Sequence, residues 1–159
     1  MTIAVGQALP DVKLVKSTAS EREPVQSGEY FKGKKVVLFS VPGAFTPTCS
    51  AKHLPGFVAN AEALKAAGID EIVCTAVNDP FVMGVWGKAN GSPEVTMLAD
   101  GNGDFVKALG LTMDGSGFGL GQRGQRFALV INDGVVDKVF VEAPGEFKVS
   151  AAEYVLENL

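Results

Sequence analysis

Apolar residues fall into short unbroken runs that alternate with segments of helical spacing. "KVVLFS" at 35–40, "EIVCTAV" at 71–77 and "EVTMLAD" at 94–100 are rich in β-branched and aliphatic residues, and each reads as a strand. Between the first two, Thr46 to Gly68 reads as a helix bent by Pro55, with Phe57, Val58, Ala61 and Leu64 recurring on one face as a core stripe. A second helix is expected from "NDPF", with Asn78 or Asp79 as its cap and Pro80 in its first turn, running toward Asn90. "GDFVKALG" reads as a short helix closed by Gly110. "RFALVINDGVVDKVFVEA" reads as two strands around an Asn-Asp-Gly turn, because Gly134 can take positive φ without a Cβ clash. The tail "SAAEYVLENL" carries a capping box, Ser150 with Glu153, ahead of Val155, Leu156 and Leu159. The polar stretch "KSTASEREPVQSGEYFKGKK" reads as loop and turn.

The order β-α-β-α-β-α-β-β-α predicts an α/β fold, since parallel strands need crossover helices that cover both faces of a sheet. A thioredoxin-like layout, with a central mixed β-sheet flanked by helices on both faces, satisfies that order by analogy. Over 159 residues the simplest organisation is a single domain, 1–159. Hydrophobic residues at 47% and charged residues at 20% predict a packed core and argue against disorder. A net charge of −4 and a pI near 5.0 supply no basic stripe for a phosphate backbone, so no nucleic-acid partner is expected. No apolar run approaches the roughly 20 residues needed to cross a bilayer, and "MTIAVGQALPDVKL" has no basic-then-apolar leader pattern, so neither membrane nor leader is expected. Two cysteines, Cys49 and Cys74, do not make a disulfide scaffold; a reducing, cytoplasmic setting is the expectation.

The candidate chemistry lies in "SVPGAFTPTCSAKHLPGF", 40–57. If Thr46 caps the helix, Pro47 falls at the first helical position and Cys49 at the third, among unpaired N–H groups that favour an anion such as thiolate. Bringing a thiol from about 8.5 to about 6 takes roughly 3.4 kcal/mol, whereas a helix terminus contributes about 0.3 to 2 kcal/mol. Further donors are therefore needed. The Thr46 hydroxyl is one, and an arginine from "GLGQRGQRFALV" is the other, a hydrogen bond to a charged group being worth about 1.5 to 3 kcal/mol. Arg126, opening a strand that could aim it rigidly, is preferred to Arg123 in the glycine-rich loop. The alternative is that both are solvated loop charges.

"PGAFTPTCSAKHLPGF", "VNDPFVM" and "GQRGQRFALVINDGVV" resemble the peroxiredoxins, specifically the atypical type-II or peroxiredoxin-V group, and the likeness spans almost the whole chain. The specific pattern is Pro42, Thr46 and Cys49 together with the later arginine. The resemblance implies a thiol-dependent peroxidase in which the Cys49 thiolate attacks hydrogen peroxide or an organic hydroperoxide and becomes a sulfenic acid. It further implies that Thr46 and Arg126 position the peroxide and that Pro42 shields the sulfur. No metal or organic cofactor is needed. Where some members carry a resolving cysteine near the C-terminus, this chain has Val149, so reduction falls to an outside thiol, glutathione with glutaredoxin or thioredoxin, or to Cys74. A homodimer is also implied.

Other residues have plainer readings beside the functional ones. Cys74, inside a strand, is by default a small buried hydrophobe, with a resolving role as its alternative. His53, four residues after Cys49, could form a Cys-His pair for hydrolysis or zinc, but a satisfied structural histidine fits better because zinc wants three or four ligands. Phe45, Phe118 and Leu120 could collar a substrate entrance or a dimer contact, and are otherwise loop anchors. Trp86 reads as packing. The glycines of "DGSGFGLGQRG" lack the strand and helix start of a phosphate loop. Rival functions are a redox-sensing or holdase-like binding module and a general thiol-disulfide oxidoreductase, the latter disfavoured by the missing Cys-x-x-Cys.

Overall fold

The computed structural model describes residues 1–90 and 93–159. In chain order its elements are β1 (Lys13–Ser17), β2 (Arg22–Gln26), α1 (Ser27–Tyr30), β3 (Lys35–Ser40), a π-helical turn (Cys49–His53), α2 (Leu54–Ala59), α3 (Ala61–Ala66), β4 (Glu71–Ala76), α4 (Pro80–Asn90), β5 (Val95–Ala99), α5 (Asp104–Leu109), β6 (Thr112–Asp114), a 3-10 turn (Ser116–Phe118), β7 (Gln122–Gly124), β8 (Phe127–Asn132), β9 (Val135–Val141) and α6 (Ala152–Glu157). Seven strands form one sheet in the order β2-β1-β5-β4-β3-β8-β9, and β6 and β7 make a separate small ladder.

The sheet is mixed. Two crossovers, through α2 and α3 and then through α4, make β3, β4 and β5 parallel, while β8 runs antiparallel to β3 and pairs with β9 in turn. The turn between β8 and β9 places Asp133 at φ 51° and Gly134 at φ 76°, the positive pair that a two-residue hairpin with right-handed twist requires.

Alternation along the central strand divides the core. Val37 and Phe39 of β3 face a cluster with Leu54, Phe57, Leu64, Met83, Trp86 and Val155, all fully buried. Val36 and Leu38 face the other cluster, where α5 contributes Phe105, Val106 and Leu109. Helices thus cover both faces, and β3, buried on both sides, reads as the continuous apolar run seen in the sequence.

Three local expectations change. The polar stretch 16–35, read as loop and turn, holds the end of β1 and all of β2 and α1, and β1 and β2 pair as a hairpin with Lys13 opposite Gln26 and Ser17 opposite Arg22. Its outer strand is largely exposed and carries Pro24, so it has the charge and proline of a blunted sheet edge and little hydrophobic alternation to betray it. The capping box at Ser150 does not form: the N-cap position of α6 is Ala151, with no side-chain cap. The glycine-rich stretch holds β6, the 3-10 turn and β7, with Arg123 inside β7 and not in open loop.

Candidate active site

The helix begins where the proline and threonine place it. Pro47 starts the helical run, and the carbonyl of Thr46 accepts its first turn from Ser50 N at 3.0 Å. The chain approaches through Phe45, whose φ of 65° is uncommon for a bulky residue, and the Ala44 N–H is tied to Asn78 Oδ1 at 2.8 Å. A Cβ at Gly43 would lie 2.9 Å from Arg123 Nη1 and 3.1 Å from Thr46 Cγ2, so a side chain there would have to displace the end of Arg123.

Pro55 does more than bend the helix. It cannot donate to the preceding turn, and just before it the helix widens, the Leu54 N–H reaching back to Cys49 O across five residues. Cys49 and His53 open and close this π-helical turn, both fully buried.

Arg126, directly before β8, comes in from the strand neighbouring β3. Its Nη2 donates to Cys49 Sγ at 3.1 Å and its Nη1 to His53 Nδ1 at 2.8 Å. A guanidinium has donors only, so sulfur is the acceptor here, the role a thiolate fills best. His53 Nδ1 is likewise an acceptor, and Nε2 donates to Ser150 O at 3.0 Å, which fixes the neutral Nε2–H tautomer. Burial first, and the Arg126 charge second, lower the His53 pKa to about 3, so the ring is neutral at physiological pH.

Of the two arginines weighed, Arg126 is the one whose guanidinium contacts the Cys49 sulfur. Arg123 instead donates to Leu120 O at 2.9 Å and Pro42 O at 3.2 Å, bracing the loop before the helix. Thr46 departs from expectation, because its hydroxyl donates to Gly43 O at 2.6 Å and so turns lone pairs, not a proton, toward its surroundings.

Beside Arg126 and the start of the helix is a cavity of about 760 Å³, whose wall does not include the fully buried Cys49. Pro42, Thr46 and Arg126 form part of its wall, with Phe118, Leu120 and Phe147 among the apolar remainder. Phe118 and Leu120 thus line this cavity, whereas Phe45, half exposed, does not.

Cys74 is also fully buried, in β4 beside Phe39 of β3 and Met97 of β5. Burial pushes its thiol up, with the Cys49 sulfur adding to the shift and Arg126 opposing it. Both cysteines are free. Trp86 is packing, as expected, but its Nε1 also donates to Ser50 Oγ at 2.9 Å, one residue from Cys49. Among the described residues, no three His, Cys, Asp or Glu side chains gather as a metal site, and no helix is long and apolar enough to cross a membrane.

Two residues of this neighbourhood had no functional reading in the sequence. Glu142, just past β9, accepts through Oε2 from Lys148 N at 2.7 Å, Ser150 N at 2.8 Å and Ser150 Oγ at 2.6 Å. Burial works to raise its pKa, yet the Ser150 and Lys148 hydrogen bonds prevail and lower it. Ser150 is spent on this carboxylate, which is why it does not cap α6. No local motif announces such a contact.

A mixed sheet covered on both faces, with one cysteine in the first turn of a helix and a guanidinium on its sulfur, defines a thioredoxin-like protein organised around a single thiol. The redoxin family model matches residues 4–156. Peroxiredoxin-2B of Arabidopsis thaliana is 49% identical over 163 residues, which cover 99% of this chain and 98% of that one. Hybrid peroxiredoxin hyPrx5 of Haemophilus influenzae is 38% identical, with 100% of this chain and 67% of that one covered. The crystal structure of reduced Prx3 from Vibrio vulnificus in complex with hydrogen peroxide is similar with a TM-score of 0.93 at 52% identity, covering 99% of this chain and 96% of that one. The chain belongs to the redoxin family and, within it, to the peroxiredoxins. It is a thiol-dependent peroxidase.

Proposed function

We propose that Cys49 is the peroxidatic residue of a single-domain enzyme spanning 1–159, and that it reduces hydrogen peroxide and small organic hydroperoxides. The observation that carries this reading is the 3.1 Å contact from Arg126 Nη2 to Cys49 Sγ at the start of a helix. The sulfur anion attacks one peroxide oxygen as the O–O bond breaks. The distal oxygen takes up a proton and leaves as water or alcohol, and the cysteine is left as a sulfenic acid. Negative charge migrates from sulfur to the leaving oxygen, so a donor fork already aimed at the sulfur can follow it into the transition state.

Thr46 is assigned to the substrate. With its own proton on Gly43 O, its oxygen is free to accept the O–H of a bound hydroperoxide, which orients the far oxygen toward Arg126. Pro42 keeps water from the sulfur and offers no N–H to compete for it. The apolar wall supplied by Phe118, Leu120 and Phe147 suits an alkyl group on the outer oxygen.

The reductant proposed is an outside thiol, glutathione with glutaredoxin or thioredoxin, acting in a reducing, cytoplasmic compartment. Cys74 supports this indirectly: sealed between two strands and with its thiol pushed up, it is a poor nucleophile toward a sulfenic acid. A homodimer is proposed as the working form. It is supported by the exposed aromatic rings of Phe45 at 54% and Phe118 at 85% exposure beside the site.

Stopped-flow oxidation of the reduced protein tests the central claim. Peroxide should consume the Cys49 thiol orders of magnitude faster than it consumes a free thiol. An Arg126→Ala protein that reacts as fast as the parent would remove the role given to the arginine. Turnover of Cys74→Ser with each reductant supplied in turn tests how the cycle closes: unchanged turnover with glutathione and glutaredoxin leaves Cys74 structural, and lost turnover makes it the resolving thiol.

A further inference from the structure

The Arg126 guanidinium stands over the Phe147 ring, 5.9 Å from its centroid, and donates to two partners of unlike kind, of which the reaction as proposed uses only one. Its Nη2 meets the sulfur; its Nη1 meets an imidazole nitrogen, 2.8 Å away. The usual second partner of a buried guanidinium is a carboxylate, which fits the fork but also takes its charge. Among the described residues no Asp or Glu forms an ion pair with Arg126. Glu142 is close in the fold, its own N–H bonded to Arg126 O at 3.1 Å, yet its carboxylate turns away to Ser150 and Lys148.

That diversion has a structural result. Glu142 Oε2 holds both the N–H and the hydroxyl of Ser150, so the Ser150 carbonyl is presented to His53 Nε2 at 3.0 Å. A carbonyl accepts only, so Nε2 must carry the proton and Nδ1 must offer its lone pair to Arg126. The ring is clamped as well, with centroids 4.8 Å from Phe39, 5.0 Å from Phe147 and 5.6 Å from Phe57. The charged or titratable groups around it are Arg126 directly, the Cys49 sulfur across the same guanidinium, and Glu142 through Ser150.

Resting on the reading of Cys49 and Arg126 given above, we propose that His53 is a positioning residue: a hydrogen-bond acceptor, its tautomer set by Ser150 and Glu142, that aims the Arg126 guanidinium at the Cys49 sulfur without competing for its charge. Two hydrogen bonds fix the plane of the fork beside the Phe147 ring, whereas one would leave it free to pivot about the sulfur contact. Neutrality matters as much as geometry. A protonated imidazole would have no lone pair for Nη1 and would repel the guanidinium it is meant to hold.

His53 is the only histidine in the chain, so a protein labelled with 15N-histidine reports one imidazole. The expected spectrum shows Nε2 protonated and Nδ1 bare from pH 8 down to about 5. A midpoint near the ordinary histidine value, or an Nδ1–H tautomer, overturns the proposal. Kinetics supply a second reading. His53→Phe, which keeps a ring but no acceptor, should slow oxidation by hydrogen peroxide by roughly 10- to 100-fold. His53→Asn, whose Oδ1 can accept where Nδ1 does, should recover most of that loss. Equal rates in both variants would mean that the ring merely fills space. If Arg126→Ala is slow while His53→Phe matches the parent, the positioning role falls and the reading of Cys49 and Arg126 stands; if Arg126→Ala is also as fast as the parent, that underlying reading falls too. The NMR measurement uses the parent protein, so the proposal is decided even where the Phe variant does not fold.

Discussion

Cys49 and Cys74 are both fully buried and both free, yet their surroundings suit them to opposite tasks. Around Cys49 lie the first turn of a helix and a guanidinium at 3.1 Å, and that arginine, with Thr46, Pro47 and Thr48, lines a cavity. Around Cys74 lie strand neighbours on either side, and its thiol is pushed up chiefly by desolvation. Burial alone therefore says nothing about whether a thiol is reactive. What separates the two is the presence of donors that can take a negative charge, one of which also lines a cavity.

The comparison can be broken in order of severity. Cys49→Ser should reduce peroxidase turnover to the background reaction between peroxide and reductant, since a serine hydroxyl gives no sulfenic acid; a coupled steady-state assay checks this. Arg126→Ala should lower the rate of thiol oxidation by about 100- to 1000-fold, the usual loss for one preorganised transition-state donor. Its readout is Trp86 fluorescence in stopped flow. Thr46→Val, which keeps the shape and removes the oxygen, should cost roughly 10-fold or more, and Thr46→Ser should recover most of it. Saturation by hydroperoxide in the same experiment separates binding from chemistry.

Smaller effects lie in stability. His53 has its pKa lowered to about 3 from 6.5, so the folded protein binds fewer protons than the unfolded chain in that interval. Its contribution is intact above about pH 6.5 and is lost as pH falls toward 3; urea midpoints should decline across that window, and less steeply in His53→Asn. For Cys74 the sign is reversed. Its raised pKa favours folding below the ordinary thiol value and loses that advantage as pH rises above about 9. Cys74→Ala should flatten the alkaline decline, cost about 1 to 2 kcal/mol near neutrality through the small cavity left behind, and spare turnover with an outside thiol. A large loss of turnover in that variant would erase the distinction between the two cysteines.

What was legible in the sequence followed from range. Thr46, Pro47 and Cys49 are neighbours, and the cap, first-turn proline and cysteine position could be read together. The runs 35–40, 71–77 and 127–132 are apolar because both faces of those strands are buried, and so they stood out. The β1–β2 hairpin did not, because an edge strand of Arg, Glu, Pro and Gln has almost no alternation to show. Ser150 with Glu153 matched a local pattern and was overruled by a distant one, since Glu142 offers the serine an ionised acceptor that a helix start cannot match. His53 was legible as a satisfied histidine but not as a partner of Arg126, for the two are 73 residues apart and meet only through the sheet.

That separation bears on the life of the chain before it is finished. Cys49 and Arg126 touch only when β8 has zipped antiparallel against β3, a pairing of distant segments that must pay its closure entropy first. Until then the thiol is an ordinary one, with no guanidinium beside it. On the role proposed for Cys49, its fast reaction with peroxide therefore begins only once that pairing is made.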